Sequence, residues 1–279
     1  MTLFDLAMAI RPKPKDWDGL SIFKLAEQKL DGWRLTLVKE SGRVRMVGRR
    51  AAADLWPAVR LHPRIRDLVE AVPDDTVLDG ELHSPGERSA QVPMQLNKPL
   101  ADKLRFTPFA APWVGGTDMR EVAVERVPEL ILELGFSPPP QFTDCGVQTV
   151  DTFCEWSQRL GIEGVVLKLQ HWRAWWRVKP VRTADLQVVG TKPGKGRHAG
   201  RIGSLEVAAL DESGRLLSVG NVSGMTDAER DEMTAMGRAV LGRIVECRYD
   251  SIGAGGGLRF PRFIRRREDK EMPTNVSEL

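Results

Sequence analysis

One short run constrains the fold of this chain more than any other: Lys29-Leu30-Asp31-Gly32-Trp33-Arg34. It has the pattern K-x-D-G-x-R and joins two segments of alternating polarity, residues 23–28 and 33–39. Alternation of this kind predicts two β-strands, and a glycine favours a tight backbone bend between them. The run therefore predicts a lysine amine at a strand edge, beside a bend that a phosphate group can approach.

The rest of the chain divides into two parts with different predicted elements. Up to about residue 180, alternating segments predict strands joined by hairpins, with a turn at Ser41-Gly42 and later strands near 163–169 and 174–179. Two helices are predicted in this part, over 122–134 and 151–160, and each ends at a glycine. Beyond Lys179-Pro180 the sequence predicts one helix and five strands, namely a helix over 226–236 and strands over 185–192, 201–210, 214–221, 242–249 and 257–265. Five short strands with one helix are typical of an OB-type barrel.

Composition and charge narrow the class of protein. The chain has 42% hydrophobic and 28% charged residues, as an ordinary globular protein does. Its three cysteines, Cys145, Cys154 and Cys247, show no C-x-x-C spacing, which argues against a disulfide framework or a zinc site and fits a reducing compartment. Neither a signal-peptide pattern nor a membrane-length apolar run is present, so we predict a cytoplasmic protein that does not contact a membrane.

The basic residues are concentrated in two segments. Net charge is only +3, so any surface for nucleic acid must be a local patch. One candidate is the acid-free segment 192–201, and the other is segment 259–270, which also contains two acids. From the residues alone, each segment is either a solvated loop or a phosphate-binding surface.

Four further motifs follow the lysine run in a fixed order. They are Leu78-Asp79-Gly80-Glu81-Leu82, Glu163-Gly164-Val165-Val166-Leu167-Lys168, Trp175-Trp176-Arg177-Val178-Lys179-Pro180, and Arg259-Phe260-Pro261-Arg262-Phe263 leading to Arg267-Glu268-Asp269-Lys270. The ordered set resembles the motifs of the covalent nucleotidyltransferases, most closely those of the ATP-dependent DNA ligases. The resemblance implies an α+β fold: a nucleotidyltransferase (adenylation) domain over residues 1–182, with antiparallel sheets and flanking helices, followed by an OB-fold β-barrel over residues 183–279.

The resemblance also implies a chemistry for Lys29. Its amine would attack ATP, form a lysyl–AMP phosphoramidate and release pyrophosphate. A lysine amine attacks only in its neutral form, which neighbouring positive charge favours. The residues implied to contact ATP or AMP are Glu27, Gln28, Asp31, Arg34, Arg49, Glu81, Phe109, Lys168, Arg177 and Lys179. Among these, the ring of Phe109 would stack on adenine, and Glu27 and the Gln28 backbone would lie near the edge of the base.

Further roles are implied for a metal, for pyrophosphate and for DNA. Glu81 and Glu163 would hold Mg²⁺, with Mn²⁺ as a substitute, because Mg²⁺ accepts sparse oxygen ligation together with phosphates. Pyrophosphate would be oriented by Arg267, Asp269 and Lys270. A monomer would grip nicked duplex DNA through Lys192, Lys195, Arg197, Arg201, Arg262 and Arg265.

The sequence departs from the family pattern at several positions. Ala110 follows Phe109 where aspartate is common, and Gly48 precedes Arg49 where serine or threonine is usual. Arg177 stands where lysine is usual, and the segment between Lys168 and Trp175 is short. Three tryptophans in this region, Trp172, Trp175 and Trp176, are predicted to pack between the two domains rather than to stack on bases.

Three functions follow from these observations. The first is a minimal two-domain ATP-dependent DNA ligase, since only 28 residues precede Lys29 and leave no room for an N-terminal DNA-binding domain. An RNA ligase or mRNA guanylyltransferase shares K-x-D-G, but the R-F-P-R-F run favours a DNA ligase. A non-catalytic OB-type DNA-binding adaptor is disfavoured by the retention of Lys29, Glu81, Glu163 and Lys179.

Overall fold

A computed structural model describes residues 2–5, 12–17, 23–48, 53–99, 102–142, 149–253 and 255–279. The chain divides into two compact units, residues 1–180 and 181–279. The predicted boundary after residue 182 lies two residues beyond this division. Mixed sheets with flanking helices confirm the predicted α+β class.

Two sheets form the framework of the first unit. Within the described residues its strands are β1 (Lys15–Asp16), β2 (Leu25–Gln28), β3 (Trp33–Glu40), β4 (Arg43–Gly48), β5 (Thr76–His83), β6 (Arg105–Val114), β7 (Thr117–Asp118), β8 (Val165–Lys168) and β9 (Trp175–Val178). The larger sheet has the order β4-β3-β5-β6-β7 and is antiparallel throughout. The smaller sheet has the order β1-β9-β8-β2, in which only the β1–β9 pair is parallel.

The helices of the first unit are short. Those that lie wholly within the described residues are α1 (Trp56–Val59), α2 (Pro63–Ala71), α3 (Val92–Leu96), α4 (Val127–Glu133) and α5 (Val150–Leu160). Helix α5 matches its prediction: the Thr149 side chain caps its start, and Gly161 ends it in the left-handed region at φ 64°. The predicted helix over 122–134 is a 3₁₀ turn (Val124–Arg126) followed by α4, which begins with a proline in its first turn. Helices α1 to α3 were not predicted.

Alternation along the smaller sheet separates a core face from a functional face. Ala26, Val165, Leu167 and Val178 pack against Phe153 of α5 in one hydrophobic cluster. Because successive strand residues point to opposite faces, the intervening residues Glu27, Val166 and Lys168 lie on the other side. That other face carries the site described below.

The described residues of the second unit form a five-stranded sheet, a separate two-stranded sheet (Ser251–Ile252 with Leu258–Arg259) and one α-helix. Its elements are β10 (Arg182–Pro193), β11 (Ile202–Leu210), β12 (Leu216–Val222), α6 (Asp227–Met236), β13 (Ile244–Tyr249), β14 (Ser251–Ile252), β15 (Leu258–Arg259) and β16 (Arg262–Arg266). The strand order is β12-β11-β10-β13-β16, and the two edges approach at a parallel bridge between Ser223 and Arg262. The predicted barrel is thus partly open, as in other OB-folds.

Two details of the second unit differ from the sequence prediction or sharpen it. The predicted strand over 257–265 is broken between β15 and β16, because Phe260 has φ 52° and Pro261 has no amide donor for a ladder. Helix α6 begins one residue inside its predicted range, after a reciprocal capping box between Thr226 and Glu229. None of the helices in the described ranges is long and apolar enough to cross a bilayer.

Candidate active site

A cavity of about 100 Å³ in the first unit is lined by residues of both sheets. Side chains from β2 and the turn after it meet side chains from β3, β5, β6, β8 and β9 at this point. The structure brings seven of the predicted site residues together in its lining: Glu27, Gln28, Lys29, Arg34, Glu81, Phe109 and Lys168. Concave sites with a few convergent polar groups are the usual form of ligand pockets.

Lys29 shares one carboxylate with a second lysine. The Lys29 Nζ donates to Glu163 Oε2 at 2.6 Å, and the Lys179 Nζ pairs with Glu163 Oε1 at 2.5 Å. All three side chains are partly exposed. The Lys29 amine is therefore held at the rim of the cavity with a second positive charge beside it.

Two glycines allow the Lys29 backbone to approach its neighbours closely. The Lys29 amide donates to the Gly164 carbonyl at 2.9 Å, which ties the end of β2 to the residue before β8. A Cβ on Gly164 would clash with the Val178 carbonyl, and a Cβ on Gly32 would clash with the Leu82 carbonyl. Glycine in K-x-D-G thus serves close backbone packing, and not only the turn that the sequence predicted.

Glu27 and Lys168 form a buried ion pair under the cavity. Their charged atoms are 2.6 Å apart, and both side chains are almost fully buried. Burial lowers the pKa of Lys168 and raises the pKa of Glu27, while the attraction between the two groups opposes both shifts. The Lys168 Nζ also donates to the Phe109 carbonyl at 2.5 Å. Glu27 Oε1 is buried and has no hydrogen-bond partner among the described residues, so one acceptor remains available.

Arg34 is fixed by a carboxylate that the sequence analysis did not select. Its guanidinium donates to both oxygens of the fully buried Asp79 and to the Pro12 carbonyl. It also lies 5.5 Å from the ring centres of Phe109 and Trp175, which pack edge to face. Arginine over an aromatic face is a favourable arrangement, so the Phe109 ring is held firmly in the cavity wall.

Glu81 is a partly buried acid in the lining of the same cavity. Burial raises the pKa of Glu81 to about 8; Lys29 opposes this rise, and Glu163 adds to it. A carboxyl group with such a pKa is a feature of functional sites. Glu81 and Lys29 line the same cavity, and the roles of Glu81 in binding the nucleotide and Mg²⁺ stay predictions.

His171 connects the short β8–β9 hairpin to the strand that carries Phe109. The His171 Nε2 accepts from the Ala111 amide at 2.9 Å, and Nδ1 donates to the Met119 carbonyl at 2.7 Å. This requires the neutral ring, and burial lowers the pKa of His171 to about 4. Trp172 packs in one hydrophobic cluster with Ala110, the residue that follows Phe109 in the chain.

We expect this histidine to make the protein sensitive to acid. The pKa of His171 is about 4 in the folded chain and near 6.5 when exposed, so protons favour the unfolded chain below pH 6.5. The free energy of unfolding should fall by about 3 kcal/mol between pH 6.5 and pH 4 from this residue. Denaturant unfolding of wild type and His171→Gln at several pH values measures it. The variant keeps a hydrogen-bond donor and an acceptor, and its free energy of unfolding should depend less steeply on pH. An equal dependence on pH in the two proteins would contradict the assignment to His171.

Other predicted residues lie away from the cavity or outside the described residues. Arg177 does not belong to the cavity lining, and its Nε donates to Asp16 at 2.6 Å. Asp31 makes no side-chain hydrogen bond or ion pair with the described residues, and its contact with ATP or AMP stays a prediction. Arg49 lies outside the described residues.

In the second unit Arg267, which follows β16, is held by two acids of the same unit. Its Nη1 donates to Asp185 at 2.9 Å, and its Nε and Nη2 donate to Asp269. Glu246 lies 3.8 Å away, and Lys270 lies 4.0 Å from Asp185. These contacts place the three predicted pyrophosphate residues in one cluster, while their role stays a prediction.

The predicted DNA-binding residues differ in how far acids neutralise them. Three of the six have acidic partners: Lys192 pairs with Glu206, Arg201 with Asp231, and Arg265 with Glu246. The other three, Lys195, Arg197 and Arg262, have no acidic partner among the described residues.

Sequence reasoning missed the residues that hold others in position. Asp79 lies in the D-G-E motif, two residues before Glu81 on the same strand. Side chains at this spacing share one face of a sheet, so the sequence could have indicated that Asp79 lies on the same side as Glu81. His171 and Asp185 gave no signal, because their partners are distant in sequence. Of the three tryptophans, Trp175 lines the cavity, Trp172 packs against Trp175, and Trp176 packs against the core of the first unit, while their predicted position between the domains stays a prediction.

The fold and the sequence both match known DNA ligases. A solved structure described as Pmar-Lig_PreS3 has a TM-score of 0.68 at 24% identity, covering 92% of this chain and 67% of that one. A solved Lig E DNA ligase has a TM-score of 0.65 at 21% identity, covering 92% and 98%. The fold is therefore that of the nucleotidyltransferase and OB-like domains of DNA ligases.

Comparisons of sequence also match this chain to DNA ligases. The family described as DNA ligase OB-like domain matches residues 193–267. The DNA ligase of Methanoculleus marisnigri is 32% identical over 88% of this chain and 52% of its own length. That of Thermococcus onnurineus is 28% identical over 88% and 51%. The chain is a relative of the DNA ligases, which confirms the resemblance, and it spans about half the length of these relatives.

Proposed function

We propose that the chain is an ATP-dependent DNA ligase that seals nicks in duplex DNA. The observation that carries this proposal is the Lys29 amine in the lining of an open cavity, beside Glu163 and Lys179. A lysine amine that lines a cavity, held by a carboxylate that also holds a second lysine, suits covalent catalysis at a phosphate group. Relatives that are DNA ligases give the reaction its class.

The proposed reaction has three displacements at phosphorus. The Lys29 Nζ bonds to the α-phosphorus of ATP, loses its proton, and the bond to pyrophosphate breaks. A 5′-phosphate oxygen at the nick then bonds to the same phosphorus, and Lys29 leaves. The 3′-hydroxyl finally attacks the 5′-phosphorus, loses its proton, and AMP departs. Lys179 and Arg177 supply positive charge for the developing phosphate charge.

Glu27 supports adenine as the base. Its Oε1 is a buried acceptor without a partner among the described residues, and it belongs to the cavity lining together with Phe109. An unpaired buried acceptor favours a ligand that donates a hydrogen bond, and the exocyclic amine of adenine is such a donor. The relatives that are DNA ligases favour a ligase over a guanylyltransferase.

The carboxylates fit a magnesium ion that arrives with the nucleotide. No group of three or more His, Cys, Asp or Glu within the described ranges is arranged to hold a metal by itself. Mg²⁺ needs only one or two carboxylates when phosphates and water complete its shell. Glu163 and Glu81 would hold it, and the bound ion would neutralise phosphate charge.

A labelling experiment tests the proposal. The protein is incubated with Mg²⁺ and either α-labelled ATP or α-labelled GTP, and the covalent adduct is then chased with nicked duplex DNA. We expect label from ATP alone, and loss of that label as the nick closes. Label from GTP would favour the guanylyltransferase, and transfer only to nicked RNA would favour an RNA ligase. If neither nucleotide forms an adduct, the remaining alternative is the non-catalytic DNA-binding adaptor.

A further inference from the structure

Two neighbouring rows of side chains on the outer face of the OB-like sheet have opposite charge balance. In the first row, register pairs Asp185 with Glu246 and Glu246 with Arg265. Two residues further along β13, register pairs Arg248 with Arg262 on β16. Side chains directly opposite each other on adjacent strands share a face, so both rows lie on the same surface.

The first row is neutralised internally. Arg265 donates to Glu246 at 2.6 Å, and Arg267 donates to Asp185 at 2.9 Å. Arg265 in this row and the adjacent Arg267 thus each have a carboxylate within hydrogen-bond distance. Such pairs need no external anion.

The second row is not neutralised. Arg248 and Arg262 are both exposed, and neither side chain makes a hydrogen bond or an ion pair with any described residue. The acids nearest along β13 are Glu246, which Arg265 engages, and Asp250, which pairs with neither of these arginines. Like charges directly opposite each other destabilise a sheet. The row therefore costs stability unless an anion binds to it.

The surroundings of Arg262 leave room for such an anion. The chain next to it is Ser223, which forms the parallel bridge, and then Gly224. A Cβ on Gly224 would be in ordinary van der Waals contact with the Arg262 Cβ, at 3.7 Å, so Arg262 is not crowded on this side. Neither neighbour brings a negative charge to the row.

We propose that Arg248 and Arg262 form a phosphate-binding row for the backbone of duplex DNA. Guanidinium groups match phosphate oxygens in a bidentate geometry, and two on one flat face suit successive phosphates of a polyanion. The inference rests on DNA as the proposed substrate. It adds Arg248, which belongs to no sequence motif, and it separates Arg262 from the predicted Arg265, whose charge Glu246 already neutralises.

Salt dependence of binding tests the row. Fluorescence anisotropy would measure the affinity of wild type, Arg248→Ala, Arg262→Ala and the double variant for nicked duplex DNA at several salt concentrations. Each single substitution should reduce the slope of log affinity against log salt by about 0.9, and the double by about 1.8. Arg238→Ala removes an exposed, isolated arginine from the same unit and is the matched control, expected to leave the slope unchanged.

Thermal unfolding separates binding from a structural role. Because the two arginines repel each other, the single variants should unfold at the same or a higher temperature than wild type. Unchanged slopes in the double variant, equal loss in Arg238→Ala, or lower unfolding temperatures would each overturn the proposal. Wild-type protein that shows no salt-dependent DNA binding would instead contradict the proposed substrate.

Discussion

Lys29→Ala should abolish formation of the enzyme–AMP adduct, with a loss of at least about 10³-fold in ligation of an ordinary nick. The reason is that the Lys29 Nζ is the amine at the cavity rim, 2.6 Å from Glu163. Single-turnover labelling with ATP measures the adduct directly.

Two companion variants sharpen this test. Lys29→Arg keeps a cation for Glu163 but removes the nucleophilic amine, so it should fail as Lys29→Ala does. Lys24→Ala, which alters an exposed lysine 3.8 Å from Glu125, should form the adduct normally. An adduct of ordinary yield on either Lys29 variant would remove this residue from its proposed role.

Glu163→Ala should slow two separate steps, each by about 10²-fold. Its carboxylate holds both Lys29 and Lys179 and is a proposed ligand of Mg²⁺. Since a metal neutralises phosphate charge in every step, sealing of a nick that already carries 5′-AMP should fall together with enzyme adenylation. Rapid-quench rates on ordinary and pre-adenylated nicks measure the two steps.

The outcome distinguishes two roles of the carboxylate. If pre-adenylated nicks close at the wild-type rate while adenylation falls, Glu163 acts only by positioning Lys29. Glu163→Gln keeps the shape and some hydrogen bonds but loses the charge, so it should resemble Glu163→Ala if a metal is involved. Glu121→Ala removes an exposed carboxylate paired with Arg173 and should leave both rates unchanged.

Local sequence patterns predicted many elements of the fold, because the interactions behind these patterns are local. The turn at Ser41-Gly42 joins β3 and β4 as expected, with positive φ at both residues. Thr149 and Gly161 bound α5, and the capping box of Thr226 starts α6. Hairpins, caps and left-handed glycines need only neighbours a few residues away, so their signals can be read directly from the chain. Proline in the first turn of α1 to α3 gave too weak a signal to predict these short helices.

By itself, the sequence determined the order of the motifs, and with it Lys29 and the carboxylates Glu81 and Glu163 as candidates. The tertiary structure alone decided which partners hold them. Glu163 comes 134 residues after Lys29, and Asp79 comes 45 residues after Arg34, yet each pair is in hydrogen-bond contact. The tertiary structure also decided which arginines are neutralised. Nothing in the sequence distinguishes Arg248 from Arg265, but strand register places Glu246 opposite Arg265 and another arginine opposite Arg248. The physical reason is that electrostatic interactions act over a few ångströms in space, and distance along the chain carries no information about them.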